Sequence, residues 1–574
     1  MSRQAHNDWV TLSPPFPERG AEQRIFRELA KRLSTRPAGS DGLCAFDDAL
    51  ETSLDLAQHS SLTTHLRAAL FLITDLAHQR WQIQVNSEGV VKVKRPDGER
   101  LDPRGEKERV RAQEVVKRDE QLREPATRAF IKSMERRMAH KGRFVSIHSL
   151  LRDGRELADS LRGTRAVPRQ DRANALRSVI DPYLQFVDSE SRCEHSGLRL
   201  QDIWRYFRHT WTTQYASTPG RSMGFIVRDR AREFHPVIGI GSLGSPIVQI
   251  RERDEWIGWQ PATFLEVVSE SPNAQLGEWL ETTIENALDE LFLDDLIEEQ
   301  LITPSDLRAP STQVISRLTD YGDRQRVLHH RLTNARGLKR PSKSDAPRPS
   351  GHWRDRAKSH LYRSKRALSL AGLLRSRMVL QQHLSTPPTS AQVRSLLDTA
   401  AGRKVVKDVL RKAKADRVGI ALADITVCGA VAPYSPILGG KLVSMLAVSP
   451  EVISAYRERY IDQESEIASS MAGRAIVRPS SLVFLGTTSL YGVGSSQYNR
   501  LRMPAEPIGG EPGERLEFLP LGKSRSFGTS HFSSATVSAL VTLVQQSSNG
   551  RRVNSIFGEG VSPKLRKIRE GLAA

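Results

Sequence analysis

The sequence has few cysteines and no long apolar run, and each shortage excludes a class of protein. Three cysteines among 574 residues cannot build a disulfide framework, which favours a reducing compartment. The N-terminal segment lacks the apolar core of a secretory signal peptide. The longest apolar run near it, residues 68–74, is far too short to cross a bilayer. We therefore expect a cytoplasmic protein that has no membrane partner.

Motifs that identify common enzymes are also missing. The sequence contains no H-E-x-x-H, G-x-S-x-G or C-x-x-C pattern, so neither zinc-dependent nor nucleophilic chemistry is indicated. Cys193 and His195 are too close together and too isolated to form a zinc site. We therefore predict no metal site and no cofactor.

Two glycine-containing stretches resemble nucleotide-binding motifs without completing them. Residues 239–244 match G-x-G-x-x-G, but the residues that follow, 245–250, are predicted to form a strand, whereas the dinucleotide fingerprint requires a helix. We expect these glycines to serve a turn or a bulge. Gly522, Lys523 and Ser524 resemble the end of a P-loop, yet Glu517 stands where its leading glycine belongs.

Positive charge is the property in which the chain departs most from an ordinary soluble protein. Its formal net charge is +19, and an excess of Lys and Arg favours a polyanionic partner, with nucleic acid first. A soluble surface that is merely rich in arginine is the alternative explanation. The basic residues form three patches, at 331–366, 403–417 and 551–569.

The sign of the charge changes within the central part of the chain. Residues 281–299 carry eight acidic side chains and no basic one, whereas residues 331–366 carry twelve basic and two acidic side chains. The second range contains a stretch rich in Pro, Ser, Lys and Arg, which is typical of an exposed linker or insertion. Phosphate contact, docking on the acidic helix, and disorder without a partner are the three roles open to it. Its candidate phosphate ligands are Lys339, Arg340 and Lys343.

Hydrophobic periodicity and composition predict a mixed α/β protein whose core sheet is built from two sequence-distant halves. A mainly helical N-terminal region precedes the core, and a charged helical insertion with a linker separates its halves. The second half ends in a basic C-terminal tail. The predicted regions, in order, are 1–185, 186–265, 266–400 and 401–574.

Three local patterns support this division. Alternating apolar residues at 81–94 predict a β-hairpin. The spacing of Phe130, Met134 and Met138 predicts a charged helical hairpin. Aromatic residues and arginines share a predicted helix at 198–211; such arginines can stack on bases, but a core-facing aromatic stripe with a solvent-facing arginine side is the alternative.

Residues 424–448 form the stretch around which the core is predicted to be organised. A β-branched apolar run predicts a buried strand, which Pro433 and Pro436 end. Gly439 and Gly440 then open an apolar helix, so backbone N–H groups can face an anion there. In outline the stretch resembles the cofactor-binding turn of GNAT-type acetyltransferases, although neither register fits the Q/R-x-x-G-x-G/A pattern of that turn.

Two groups of polar residues are candidates for a site in the core. The first is a possible pocket beside the bend, formed by Asp254, Trp256, Trp259, Gly439, Gly440, Tyr498 and Asn499. Lys441, which follows the two glycines, is a candidate for phosphate contact. A second, Gly-punctuated loop suits phosphate contact through Lys523, Ser524, Arg525 and Thr529. His531 in the same loop is a candidate general base, with a structural role as the alternative.

Four blocks, in this order, carry a resemblance to the Druantia anti-phage protein DruA family. They are HPVIGIGSLGSPIVQIRERDEWIGW, VCGAVAPYSPILGGKLVSML, SSQYNRLRM and LGKSRSFGTSHFS, and upstream blocks such as SIHSLLRDGREL are similar to its long members. The resemblance implies a component of a bacterial antiviral defence system that works beside a large helicase-related partner. It supplies no catalytic residues that can be carried over.

Three hypotheses follow for the function. The first is a defence component that binds DNA or a nucleoprotein through the basic patches. The second is an enzyme, either a degenerate GNAT-like acyltransferase or a nuclease-like activity centred on residues 523–531. The third is a scaffold that only docks partner proteins.

Overall fold

The structure is a computed structural model. It describes residues 9–12, 20–34, 48–49, 51–53, 55–56, 62–78, 81–85, 90–94, 118, 121–211, 213, 220–336, 351–488, 497–499, 501–506, 509–522, 532–547 and 571–572. The strands are β1 (Trp9–Thr11), β2 (Gln82–Val85), β3 (Val91–Lys94), β4 (Met138–His140), β5 (Arg143–Val145), β6 (Pro182–Val187), β7 (Ser222–Asp229), β8 (Val237–Gly244), β9 (Leu422–Ala430), β10 (Phe484–Gly486), β11 (Arg502–Pro504) and β12 (Arg515–Glu517).

The helices include short single turns as well as long bundle helices. They are α1 (Ala21–Ser34), α2 (Thr64–His78), α3 (Pro125–Glu135), α4 (Gly154–Gly163), α5 (Arg172–Val179), α6 (Leu200–His209), α7 (Arg251–Ile257), α8 (Pro261–Glu270), α9 (Ala274–Asp289), α10 (Asp294–Glu298), α11 (Pro304–Arg308), α12 (Thr312–Arg336), α13 (His352–Ala357), α14 (His360–His383), α15 (Ser390–Asp398), α16 (Ala400–Ala421), α17 (Ser435–Leu438), α18 (Lys441–Leu446), α19 (Pro450–Tyr460), α20 (Glu466–Ala472) and α21 (Ser534–Ser547).

The chain forms two compact units. One combines Met1–Glu108, Val248–Ile250 and Gly522–Ala574, and the other combines Arg109–Ile247 with Arg251–Leu521. The first unit holds an antiparallel sheet in the order β1-β3-β2 and the helices α1, α2 and α21. The pairing of β2 with β3 confirms the hairpin predicted from alternating residues.

A five-stranded mixed sheet, in the order β10-β9-β8-β7-β6, organises the second unit. Strands β6 to β9 pair antiparallel, whereas β10 is parallel to β9. Strands from residues 182–244 and 422–486 therefore share one sheet, and the mixed α/β class is confirmed. Each face of the sheet has its own apolar core: Phe207 of α6 packs in one, and Val443 of α18 packs in the other.

Strand β8 explains why residues 239–244 are rich in glycine. All eight of its residues are buried, since both faces of this central strand are covered. A Cβ atom on Gly241 would lie 2.0 Å from the ring of Phe225. The turn predicted for these glycines is wrong, because they lie inside a strand, where neighbouring side chains leave no room for a larger residue at Gly239 and Gly241. The bulge offered as the other possibility is present at the edge of this stretch: the pairing of β7 with β8 shifts register at Ile238, directly before Gly239.

Helices fill the insertion between β8 and β9. Their apolar faces form one core around Leu280, Leu318, Leu370 and Leu374, which are fully buried. Leu370 and Leu374 are four residues apart and so lie on one face of α14. The helical character predicted for this part of the chain is confirmed for its described residues, which exclude 337–350.

Two local predictions are wrong. Helix α3 ends at Glu135, and Met138 begins strand β4 instead of continuing the helix. The backbone turns extended at Arg136 (φ −65°, ψ 130°), and Lys141 and Gly142 have positive φ values of 48° and 76°, as a two-residue hairpin turn requires. Residues 245–250 form no strand.

Candidate functional site

The bend after β9 has the strand–bend–helix layout expected from the sequence. Strand β9 ends at Ala430, before both prolines, and α18 begins directly after Gly440. Gly439 has a φ of 58°, a value that favours glycine. A Cβ atom on Gly440 would lie 2.3 Å from the side-chain amide carbon of Gln497. The second glycine is therefore needed because residue 497 approaches the bend so closely.

The side chain of Gln497 covers the edge of β9 near the bend. Strand β10 pairs with β9 only as far as Asp424. Beyond that point, Gln497 Nε2 donates to the carbonyl oxygen of Cys428 (2.9 Å) and to Ser444 Oγ (3.0 Å). This part of the edge is thus occupied by the chain itself. Burial raises the pKa of the Cys428 thiol to about 11, so the thiol is neutral at physiological pH and is a poor nucleophile.

Part of the predicted pocket comes together beside this bend. Lys441 Nζ donates to the carbonyl oxygen of Asn499 at 2.7 Å. The ring of Tyr498 lies 4.9 Å from that of Phe518, centroid to centroid, and burial raises the pKa of the Tyr498 phenol. This bond uses one of the three N–H donors of Lys441 and joins the start of α18 to the segment that contains Tyr498.

The other predicted pocket residues lie toward the opposite end of β9. Trp259 packs against Leu422, the first residue of the strand, and the ring of Trp256 lies 6.0 Å from that of Phe484. Asp254 is buried between Arg253 and Lys414, with oxygen–nitrogen distances of 2.9 and 2.5 Å. Leu422 and Cys428 are separated by about 20 Å along an extended strand. The set predicted as one pocket therefore occupies two separate places.

Eight predicted site residues lie outside the part of the chain that the structure describes. They are Lys339, Arg340, Lys343, Lys523, Ser524, Arg525, Thr529 and His531.

The described part of the basic patch at 331–366 contacts acidic residues of the same unit. Arg366 forms a buried two-point ion pair with Asp295 (2.7 and 2.6 Å). Arg363 pairs with Glu299 at 2.9 Å, and Arg354 pairs with Asp294 at 2.8 Å. These arginines dock on acidic residues of the same unit, whereas the Pro-, Ser-, Lys- and Arg-rich stretch for which three roles were left open lies almost entirely outside the described residues.

The basic helix α16 is also partly neutralised by its own chain. Asp408 accepts from Lys404 (3.0 Å) and from Arg411 (2.8 Å), and Asp416 accepts from Lys412 at 2.8 Å. Because each of these cations has a carboxylate partner, fewer cations of α16 are available to contact phosphate than its sequence indicates.

A further basic surface lies in a region that the sequence patches omit. Residues 121–180 carry fourteen Lys or Arg and six Asp or Glu side chains. Arg128, Lys132, Arg136 and Arg137 are exposed, and none of the four forms an ion pair with another described residue. Arg128 and Lys132 are four residues apart on the exposed face of α3. The excess of basic residues can be counted in the sequence. Basic and acidic residues alternate here, however, so the sequence shows no continuous basic run.

The arginines of α6 do not form a free stacking surface. The guanidinium of Arg205 lies 4.1 Å from the ring centroid of Phe130. Arg208 donates to the carbonyl oxygen of Thr213 at 2.7 Å and lies 5.3 Å from the ring centroid of Trp211. Ile203 and Phe207 face the core, as the core alternative predicts.

The group Cys193, His195 and His235 includes the two residues whose spacing in the sequence argues against a zinc site. The two imidazole rings are 4.2 Å apart, and Arg228 lies 3.5 Å from the Cys193 sulfur. Among the described residues, however, no group of three or more His, Cys, Asp and Glu side chains has the arrangement of a metal site. The buried guanidinium of Arg228 is a cation already in place beside the thiol.

In the part of the chain that the structure describes, no helix combines the length and the apolar composition needed to cross a membrane.

Comparison with known proteins identifies one family. Residues 161–270 and 408–574 match the family described as Druantia protein DruA. No curated protein and no solved structure matches the chain. The matched segments contain strands β6 to β10 and the bend, and they leave out most of the helical insertion and the basic residues before 161. Through these two segments the chain is similar to the DruA family of the Druantia anti-phage system.

Proposed function

We propose that the chain is the nucleic-acid-binding component of a Druantia-type anti-phage system, and that its ligand is DNA or a DNA–protein complex. The observation that carries this proposal is the exposed basic surface of residues 121–180 in the second unit. Polyanions bind such surfaces by releasing condensed counterions, which needs exposed cations that have no carboxylate partner. Among the described residues, the four side chains Arg128, Lys132, Arg136 and Arg137 are exposed and have no carboxylate partner.

The family match supports a role in defence, and the charge distribution supports the choice of ligand. A helicase-related partner is proposed from the family alone. The cytoplasmic location predicted from the low cysteine content is part of the same proposal, since a DNA-binding defence component would meet phage DNA there.

We further propose that the core is GNAT-like in outline. The strand–bend–helix layout at residues 422–446 supports this proposal, as does the parallel pairing of β9 with a strand that leaves it after Asp424. Acyl transfer gains no support from the bend, because Gln497 lies on the edge of β9 and the Cys428 thiol is neutral.

The test is the affinity of the full-length protein for a labelled DNA duplex as the salt concentration is changed. If about four phosphates are contacted, the affinity should fall about 100- to 300-fold between 50 and 200 mM salt. Binding that is absent even at low salt would contradict the proposal and favour the protein-docking scaffold.

A second measurement separates binding from catalysis. If the protein acts by binding alone, His531→Ala should leave both DNA affinity and protection against phage unchanged. Loss of protection with intact affinity and an intact fold would instead favour the enzyme hypothesis.

A further inference from the structure

The hairpin of β4 and β5 is attached to the second unit by one of its faces. His140 and Arg143 are direct partners across the two strands. His140 Nε2 lies 2.9 Å from the carbonyl oxygen of Glu194, and Arg143 forms an ion pair with Glu233. Val145, at the base of the hairpin, is buried, as is Ile147 two residues further on. These contacts fix the direction in which the hairpin points.

The opposite face of the hairpin presents one aromatic ring to solvent. Side chains alternate between the faces of a strand, so Ala139 and its partner Phe144 share this second face. Phe144 is 78% exposed, the largest value among the exposed large hydrophobic side chains of the described residues. Because its cross-strand neighbour is only an alanine, the flat side of the ring is left uncovered.

Exposed cationic side chains lie close to this ring in the sequence. Arg136 and Arg137 come directly before β4, and both are exposed without an ion pair to another described residue. Lys141 at the turn lies 3.5 Å from Glu194, but its side chain is 64% exposed. An exposed ring among cations suits a base and its phosphate, because the ring stacks on the base while the arginines contact the backbone.

We propose that this hairpin binds single-stranded nucleic acid, with Phe144 stacking on an unpaired base and Arg136 and Arg137 contacting the adjacent phosphates. The inference rests on the proposed function and adds the class of ligand and the contact residue. Stacking requires a base whose face is accessible, which a base inside a continuous duplex lacks.

The charges also favour a polyanion over a protein partner. Protein interfaces have an apolar centre from which charged residues are depleted. Around Phe144 the opposite arrangement is found: one ring, a small alanine, and three cationic side chains close in sequence.

The test compares Phe144→Ala with wild type in the full-length protein, by fluorescence anisotropy on an oligothymidine 20-mer and on a 20-base-pair duplex. Stacking is worth about 1–3 kcal/mol per base, so the variant should bind the single strand about 5- to 150-fold more weakly. Its affinity for the duplex should change less than about twofold, because the substitution removes only stacking on an unpaired base. Phe144→Trp should restore single-strand binding.

A matched control and the salt dependence make the outcomes distinct. Val483→Ala removes another apolar side chain of high exposure, 75%, and should leave affinity for both probes unchanged. The slope of log affinity against log salt should be the same for Phe144→Ala and wild type, since the substitution removes no charge.

Three results would overturn the inference. Unchanged single-strand affinity in Phe144→Ala would do so, and would point to a protein-docking role for the ring. Equal losses on the single strand and the duplex would show that the ring does not act on unpaired bases. If the wild-type protein bound neither probe at low salt, the proposed function itself would be contradicted, whereas the first two results are compatible with it.

Discussion

Arg366 and Asp295 form a two-point ion pair in the interior of the second unit. The guanidinium nitrogens lie 2.7 and 2.6 Å from the two carboxylate oxygens, and the side chains are 0% and 2% exposed. Arg366 also donates to the carbonyl oxygen of Ala357. The pair therefore joins the basic helix α14 to the acidic helix α10 in a place that water does not reach.

The first prediction concerns the removal of this carboxylate. Asp295→Ala leaves the Arg366 guanidinium buried without its counterion, so the free energy of unfolding should fall by about 3–5 kcal/mol. The adjacent residue offers a matched control: the Asp294–Arg354 pair has the same chemistry but is 56% exposed on both sides. Asp294→Ala should cost no more than about 1 kcal/mol. Denaturant unfolding measures both, and equal losses would contradict the prediction.

The second prediction concerns the bond that joins the bend to strand β7. Tyr434 Oη donates to Asp229 Oδ2 at 2.7 Å, and Arg152 donates to the same oxygen at 3.0 Å. Asp229 and Tyr434 are fully buried. Tyr434→Phe removes a hydrogen bond to a buried carboxylate, which should lower the free energy of unfolding by about 1.5–3 kcal/mol.

A second tyrosine provides the control for that measurement. Tyr206 Oη donates to Glu135 at 2.8 Å, but this carboxylate is at the surface. Tyr206→Phe should therefore cost at most about 1 kcal/mol, because water can replace the missing donor. If Tyr434→Phe and Tyr206→Phe lowered the free energy of unfolding by the same amount, the prediction that the buried network around Asp229 contributes more would be contradicted.

The local elements were predictable where the sequence pattern has one interpretation. Ile203 and Phe207 are spaced for one face of a helix, and they pack in the core. Residues 422–446 contain a strand, two prolines and two glycines, and they form the strand, bend and helix expected. In both cases the pattern lies within one short segment, and the tertiary contacts of the segment agree with the structure that the pattern predicts.

The tertiary partners of charged residues were not predictable. Arg363 and Arg366 belong to a basic run that resembles a polyanion-binding patch, yet they pair with Asp295 and Glu299. Nothing in a one-dimensional charge pattern states which side chains the fold brings together. Met138 shows a related limit: its spacing from Met134 fits a helix, but the positive φ values of the turn at 141–142 create a hairpin that periodicity does not show.

The third prediction concerns the pH dependence of stability. Burial, together with the nearby charges of Arg205 and Arg208, lowers the pKa of His209 to about 4. In the unfolded chain the pKa of histidine is about 6.5. The unfolded state therefore binds more protons between about pH 6.5 and 4, and the stability that His209 contributes is complete above this range and is lost as the pH falls through it.

The magnitude follows from the same difference. The loss on acidification should approach about 3 kcal/mol at pH 4. His209→Gln cannot take up a proton, so its stability should change less over this range than that of wild type. Urea unfolding at pH 7, 6, 5 and 4 measures the difference. Parallel pH profiles for the two proteins would show that His209 is not the group responsible.

The last prediction asks which basic surface binds DNA. Arg128→Gln, Lys132→Gln and Arg136→Gln together remove three exposed cations that form no ion pair with a described residue. Removing one cation that binds a phosphate should reduce the salt slope of duplex binding by about 0.9, so the triple variant should show a slope smaller by up to about 2.7. Its affinity at low salt should fall accordingly.

The control removes the same number of charges from cations that already have carboxylate partners. Arg354→Gln, Lys404→Gln and Arg411→Gln abolish the ion pairs with Asp294 and Asp408. The control variant and the first triple variant lose the same amount of positive charge. The control, however, removes only cations that are already paired with carboxylates, and so it removes no cation that is free to bind a phosphate. The salt slope of this variant should stay near that of wild type. If the slope fell equally in both triple variants, net charge alone would govern binding, and the surface at 121–180 would have no distinct role.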